Sequence, residues 1–221
     1  MPKINVVVEG QTEETFIHAV LNPYILARNN AAYVMPLVVQ TKRVFTGQKW
    51  TGGLSSYKQF RADVVRALGD RGATCVTSMI DLFHLPEDFP GFEKTRDFQS
   101  SERVRILEEA MCADLVDARF LPYISTHEFE ALLLSNPEAV VSAAGGREGD
   151  SAALSAVVAT FRGPEEVNGV NPPSYRIRSI LPNYNKVVHG ASAAMETGIN
   201  TMKSTCKHFR DWLDEVEVRL S

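Results

Sequence analysis

Cysteine is scarce and scattered: Cys75, Cys112 and Cys206 are the only three among 221 residues. An odd, widely spaced set argues against a disulfide framework and against a zinc site, so a reduced, cytoplasmic protein is expected. No stretch reaches the ~18 uninterrupted apolar residues of a membrane span. The first residues lack the basic, then apolar, then small-residue order of a signal peptide, and no membrane association is expected. Positive charge is also short, because 23 Lys and Arg face 27 Asp and Glu, leaving a net charge of −4. Such a chain has no general attraction for nucleic acid, and binding it requires a local basic patch. There is no internal repeat and no low-complexity tail. The glycine-punctuated stretch TGQKWTGG at residues 46–53 lacks the Walker pattern, which argues against nucleotide binding there. Ser125 and Ser135 sit in no nucleophile-elbow context. What remains is ordinary: 44% hydrophobic and 23% charged residues, enough for one globular domain or one domain with a helical extension.

The first half alternates between two periodicities. Residues 4–8 form a β-branched apolar run that reads as a fully buried strand. Gly10 follows, and Thr12 is placed to N-cap a helix to about residue 28, with Phe16, Ile17, Val20, Leu21 and Tyr24 on one face. Strands are expected at 33–39, at 74–80 ending on Asp81, and at 119–124, with helices at 55–68 and 101–112 and a Pro/Gly loop at 85–92. This β-α-β-α-β-α-β order predicts an α/β fold, a mainly parallel sheet with helices on both faces. From residue 125 onward, helices and loops take over. Ser125-x-x-Glu128 has the form of a capping box opening a helix to about residue 134. Residue 186 falls in a loop, and residues 203–218 form a last amphipathic helix burying Phe209, Trp212, Leu213 and Val216. The expected division is an α/β core over residues 1–135 and a helical C-terminal extension over 136–221, packed on that core.

Acids recur where the strands end. The stretch NVVVEGQTEETF closes the first strand on Glu9, the third closes on Asp81, and the fourth leads into His127-Glu128-Phe129-Glu130. In open α/β sheets ligands sit beyond the carboxyl ends of the strands. Carboxylates gathered there repel one another unless a cation neutralises them, and an all-oxygen donor set selects Mg²⁺ or Mn²⁺. Taken singly, each acid has a duller explanation. Glu13 and Glu14 occupy a first helical turn, where the dipole favours them; Glu128 suits the capping box; a lone Asp81 suits a turn. Glu130 differs, because with Phe129 and Leu133 facing the core it lies beside His127, and that i, i+3 pair could present two ligands. Only the coincidence of Glu9, Asp81 and Glu130 favours a metal. A solvated side chain is the default for Lys186.

These blocks resemble the Toprim fold shared by topoisomerases, bacterial primases and OLD-family nucleases. The family's first motif, a glutamate and glycine after the first strand, is matched by Glu9-Gly10, and the further acid of the OLD and primase branches by Glu13. The third strand of the family ends in Asp-x-Asp, whereas here it reads Asp81-Leu82-Phe83. The glutamate beyond the fourth strand is matched by Glu130, and the lysine nearer the C-terminus by Lys186. The whole chain is similar to an uncharacterised Toprim-related family often encoded beside an AAA-type ATPase. That likeness rests on VEGQTE at 8–13, LPEDFPG at 85–91, THEFEAL at 126–132 and CKHFRDWL at 206–213.

The resemblance implies Mg²⁺- or Mn²⁺-dependent phosphodiester cleavage of nucleic acid, DNA ahead of RNA, in a two-gene defence system with an AAA-type ATPase partner. Glu9, Glu13, Asp81 and Glu130 would hold one or two ions, Lys186 would neutralise developing charge, and His127 would tune a ligand or move a proton. Phe83 at the second aspartate position implies either a rearranged metal site, with Asp88 or Glu128 substituting, or a site without activity. A homo-oligomer is expected because isolated Toprim-like nucleases commonly pair. The alternative is a non-catalytic Toprim-like partner module of an AAA-type ATPase with a vestigial or structural carboxylate site.

Overall fold

The computed structural model describes residues 2–29, 31–39, 54–167 and 171–220; the glycine-punctuated stretch 46–53 lies outside them. Strand β1 (Lys3–Val8) leads into α1 (Gln11–Phe16), a π-helical turn (Ile17–Leu21) and α2 (Asn22–Arg28), which run on continuously. The widened turn ends just before Asn22-Pro23, where proline's missing N–H and its ring would break an ordinary ladder at Ala19. Then come β2 (Tyr33–Val38), α3 (Tyr57–Leu68), β3 (Cys75–Asp81), a 3-10 turn (Phe92–Thr95) and α4 (Ser100–Leu115). Two short strands, β4 (Phe120–Leu121) and β5 (Ile124–Ser125), complete the sheet.

Every pairing is parallel, in the order β2-β1-β3-β4, with β5 also on β3. This is the mainly parallel α/β sheet that the strand-helix alternation predicts. The fourth strand, expected to be continuous, is broken at Pro122. Proline has no N–H for the ladder, and the Ser78 hydroxyl bridges the gap, donating to Tyr123 O (3.0 Å) and accepting from Tyr123 N (2.9 Å). Alternation along β1 serves both faces. Ile4, Val6 and Val8 join one apolar core with Phe16, Ile17 and Leu21. Val7 joins the other, with Phe60 and Val64 of α3 and Val104, Leu107 and Met111 of α4.

The second half supplies α5 (Glu130–Leu133), α6 (Pro137–Ala144), α7 (Asp150–Ala159), a 3-10 turn (Pro164–Glu166), α8 (Pro173–Ile180), α9 (Lys186–Thr205) and α10 (Lys207–Leu220). Helix α10 lies directly on the sheet: Trp212 Nε1 donates to Thr77 Oγ1 of β3 (2.9 Å), and Phe209 meets Phe16 edge-on. The last helix does not begin at residue 203. The chain turns extended at Cys206, between α9 and α10. The new N-terminus is satisfied from a distance, since the buried Glu165 carboxylate accepts from His208 N and Phe209 N, both at 2.9 Å. Glu165→Ala strips both amides of their acceptor and is expected to cost about 1–2 kcal/mol, measurable by urea denaturation.

No described helix is long and apolar enough to cross a membrane.

Candidate active site

Strand register assembles the first two acids. Val8 pairs with Met79, and beyond that pair Glu9 N donates to Met79 O (3.3 Å) while Glu9 Oε2 accepts from Asp81 N (3.3 Å). The first and third strands thus deliver Glu9 and Asp81 to one carboxyl edge. Glu13 follows one turn into α1, buried at 3% exposure. Strand β5 pairs Ser125 with Asp81, which brings the segment after it to the same edge, where α5 opens on Glu130 at 0% exposure.

Lys186 arrives from the other end of the chain. Asn185 caps α9 by accepting from Val187 N (3.0 Å) and Val188 N (3.2 Å), so Lys186 is a first-turn helical residue rather than the loop residue expected. One turn on, Gly190 faces α1, where a Cβ would meet Thr12 Cγ2 at 3.5 Å, an ordinary contact distance. The packing of α9 against α1 carries the lysine to the acids. Its Nζ lies 3.3 Å from Glu13 Oε1, 3.6 Å from Glu130 Oε2 and 3.7 Å from Asp81 Oδ2.

One ammonium therefore serves three carboxylates, with Glu9 joined through Asp81. Burial is the main influence on the acids. It raises the Asp81 pKa well above its ordinary value despite Lys186, raises Glu9 as well, and pushes Glu130 up to about 7. For Lys186, burial alone would lower the pKa, but Asp81, Glu130 and Glu13 together outweigh it and hold the ammonium charged. The linkage has a definite sign. Glu130 titrates near 4.5 when unfolded and about 7 when folded, so ionising it in the fold becomes progressively costly from pH 4.5 to 7. The cost is full above pH 7, on the order of 3 kcal/mol. In chelator, Glu130→Gln is expected to remove much of this fall, matching wild type near pH 4.5 and exceeding it at pH 8. Denaturant melts at the two pH values measure the difference.

Several residues stand apart from this cluster. His127 is buried, but the charges acting on its ring are Glu128, Arg176 and Arg103 rather than the four acids; it does not pair with Glu130 as the i, i+3 spacing suggested. Helix α5 begins only at Glu130, so the expected geometry of an earlier helix start does not arise. Glu128 forms no capping box with Ser125, which is in β5. Its carboxylate instead accepts from Ser174 N (2.8 Å) and Ser174 Oγ (3.0 Å) at the start of α8. Asp88 accepts from Tyr57 N at the start of α3 (2.9 Å). Neither acid stands in for an aspartate at Phe83. Sequence reasoning missed Tyr184, whose buried hydroxyl has no hydrogen-bond partner and whose pKa is raised by burial and then by Glu130. An aromatic just before the Asn185 cap was the available signal.

The donor chemistry suits a hard cation. Glu13 Oε1, Asp81 Oδ1 and both oxygens of Glu130 are buried without hydrogen-bond partners, and all are oxygens, as Mg²⁺ and Mn²⁺ prefer. Among the described residues no three His, Cys, Asp or Glu side chains converge as a ready-made metal cage, and the Lys186 ammonium lies among the acids instead.

A parallel sheet with helices on both faces and a helical C-terminal part is the architecture of Toprim-like α/β proteins. The chain belongs to the family described as a domain of unknown function (DUF4276), whose model matches residues 8–217. Its structure is similar to that of the C-terminal region of the Burkholderia pseudomallei OLD protein, with a TM-score of 0.52 and 14% sequence identity over 100% of each chain. At that identity the likeness is one of fold. No curated protein matches the sequence.

Proposed function

We propose that this protein is a divalent-metal-dependent nuclease whose reactive centre is the cluster of Glu9, Glu13, Asp81, Glu130 and Lys186. The observation that supports this most is the set of buried carboxylate oxygens without hydrogen bonds at the carboxyl edge of the sheet, sharing one ammonium as their counter-charge. Structural function alone gives no reason to bury three acids, with Glu9 beside them, around a single cation, because breaking even on such burial requires near-complete pairing.

Glu9, Glu13, Asp81 and Glu130 would hold Mg²⁺ or Mn²⁺. A bound ion of this kind supplies charge stabilisation for a phosphoryl oxygen and a more acidic water. The chain's own residues do the rest. With the carboxylates holding an ion, Lys186 would be free to face a non-bridging oxygen of the scissile phosphate. Its held-up pKa keeps it charged throughout neutral pH. Glu9 fixes the position of Asp81 through the Asp81 amide. The Tyr184 hydroxyl, kept protonated, can donate to Glu130 once that carboxylate turns.

The resemblance of the strand-end motifs to Toprim-type nucleases, on a fold like that of the OLD protein's C-terminal region, supports nucleic acid as substrate, DNA ahead of RNA. It also supports an AAA-type ATPase as partner in a defence role within the cytoplasm. The test is purified protein incubated with supercoiled plasmid and, separately, Mg²⁺, Mn²⁺ and Ca²⁺. Nicking with Mg²⁺ or Mn²⁺ but not Ca²⁺ is expected; absence of cutting in every condition, with the ATPase present as well, overturns the reading.

A second reading has its own support. Phe83 stands where the resemblance places a second aspartate, a cation already sits among the acids at Lys186, and among the described residues no three acidic or metal-ligating side chains form a metal cage. A non-catalytic partner module of an ATPase would look like this. The two readings separate on metal: saturating Mg²⁺ or Mn²⁺ stabilises a metal-binding fold by RT ln(1 + [L]/Kd), about 2.7 kcal/mol at a hundredfold excess over Kd. The scaffold reading expects an unchanged melting curve.

A further inference from the structure

The block CKHFRDWL at residues 206–213 takes no part in the acidic cluster, yet its histidine is bonded to the strand that leads there. His208 lies near the start of α10, and its ring stacks on that of Tyr123, with centroids 5.0 Å apart and planes at 14°. Tyr123 is itself fixed, buried at 1% exposure with its ring 4.7 Å from that of Trp212. The stack orients the imidazole, whose Nε2 lies 3.1 Å from Glu108 Oε1 of α4.

The same carboxylate oxygen accepts from Ile124 N of β5 (2.8 Å). Strand β5 pairs with β3 through Ile80 and Asp81, and its Ile124 N–H goes to this side chain. A second acid closes the group. The Glu165 carboxylate accepts from His208 N and Phe209 N, and its carbonyl accepts from Thr126 Oγ1 (2.9 Å). Residues 124–126 are therefore tied to the start of α10 through both Glu108 and Glu165. A few residues further on, α5 opens on Glu130.

We infer that His208 and Glu108 form a proton-operated latch. With the imidazole charged, the latch clamps β5 to α10 and steadies the segment that carries Glu130; loss of the proton loosens it, because a charge-assisted hydrogen bond is roughly twice as strong as a neutral one. Both side chains reach water, with 27% of His208 and 16% of Glu108 exposed, so the proton exchanges without unfolding. The titratable groups facing the ring are Glu108 from α4, Glu165 from the 3-10 turn and Tyr123 from the link between β4 and β5. On α10 itself, Lys207 and Arg210 pair with Asp211. Burial would lower the His208 pKa, but the bond to Glu108 and the charges of Glu108 and Glu165 outweigh burial and raise it. The sign follows. A histidine raised by folding lends stability that is fully present below its ordinary 6.5 and is lost as pH rises through the folded value.

The test follows the full, isotope-labelled chain by NMR across neutral pH. The His208 ring is expected to titrate above 6.5, and Glu108→Gln, which keeps an acceptor for Ile124 N–H but loses the charge, to bring the midpoint down. Hydrogen-exchange protection of the Ile124 amide, corrected for the intrinsic pH dependence of exchange, is expected to fall about fivefold as the ring loses its proton. His208→Gln keeps an N–H donor without a titrating ring and is expected to show no such fall, which separates the latch from the titration of Glu130 and Glu165. Three results overturn the latch: a wild-type midpoint at or below 6.5, wild-type protection unchanged across the titration, or the same fall in His208→Gln. The first two are read on wild type alone, so a variant that fails to fold does not shield the inference. Neither readout uses cleavage, and the nuclease reading stands or falls separately.

Discussion

Lys186→Ala is expected to lower the cleavage rate by ~10²–10³ while leaving divalent-metal binding in place. An ammonium is no ligand for Mg²⁺, but a cation facing the phosphate acts where charge develops, and loss of one such electrostatic donor has costs of that size. The same substitution has a second, separable effect. Without metal, Glu13, Asp81 and Glu130 lose the ammonium that lies within 3.7 Å of each. Removing one partner from buried ion pairs costs ~3–5 kcal/mol. The loss here falls toward the lower end, because a third of the Lys186 side chain is exposed and the acids can take up protons instead. Saturating Mn²⁺ restores the missing positive charge, so the variant gains more stability from metal than wild type does. Denaturant melts with and without Mn²⁺, run beside plasmid nicking, read both effects. If nicking by Lys186→Ala equals wild type, the lysine is structural.

Asp81→Ala is expected to lose both properties together. Asp81 is the last residue of β3, and the Glu9 carboxylate is tied to its amide; as a ligand it has no substitute, since Asp88 and Glu128 are engaged at the starts of α3 and α8. Metal-induced stabilisation, ~2.7 kcal/mol at a hundredfold excess over Kd, should disappear, and with it cleavage. In the metal-free protein two effects oppose each other: removing a carboxylate whose burial opposes ionisation relieves repulsion among the acids, while the truncation leaves a cavity. Asp81→Asn, which keeps the volume, isolates the electrostatic part and is expected to melt at or above the wild-type temperature in chelator. Undiminished Mn²⁺ stabilisation in Asp81→Ala contradicts its place in the site.

The parallel sheet was legible because β-branched runs such as VVV at 6–8 alternate with segments of helical period, a pattern that survives any loop detail. What failed was local. Pro122 splits the fourth strand, and its effect on the ladder is visible only once the Ser78 hydroxyl is seen to replace the missing pairing. The capping box at Ser125 failed because Ser125 pairs with Asp81 in the sheet, so the register overrode the local motif. Among the acids, strand ends marked Glu9 and Asp81, and both meet at one edge by register. The role of Lys186 as the shared partner of three carboxylates could not be read from spacing. It depends on α9 packing against α1, two helices from opposite ends of the sequence. The His127–Glu130 pairing failed for a simpler reason, since an i, i+3 relation needs a helix through both residues and α5 starts at Glu130.

The central claim, that the acids at the sheet edge are a divalent-metal site, is tested most directly by soaking crystals of the protein in Mn²⁺ and mapping its anomalous scattering. The account predicts a peak ~2.1–2.4 Å from oxygens of Asp81, Glu130 and at least one of Glu9 and Glu13, with the Lys186 ammonium withdrawn from between them. A crystal that shows no peak there at saturating Mn²⁺, with Lys186 still seated among Glu13, Asp81 and Glu130, contradicts it.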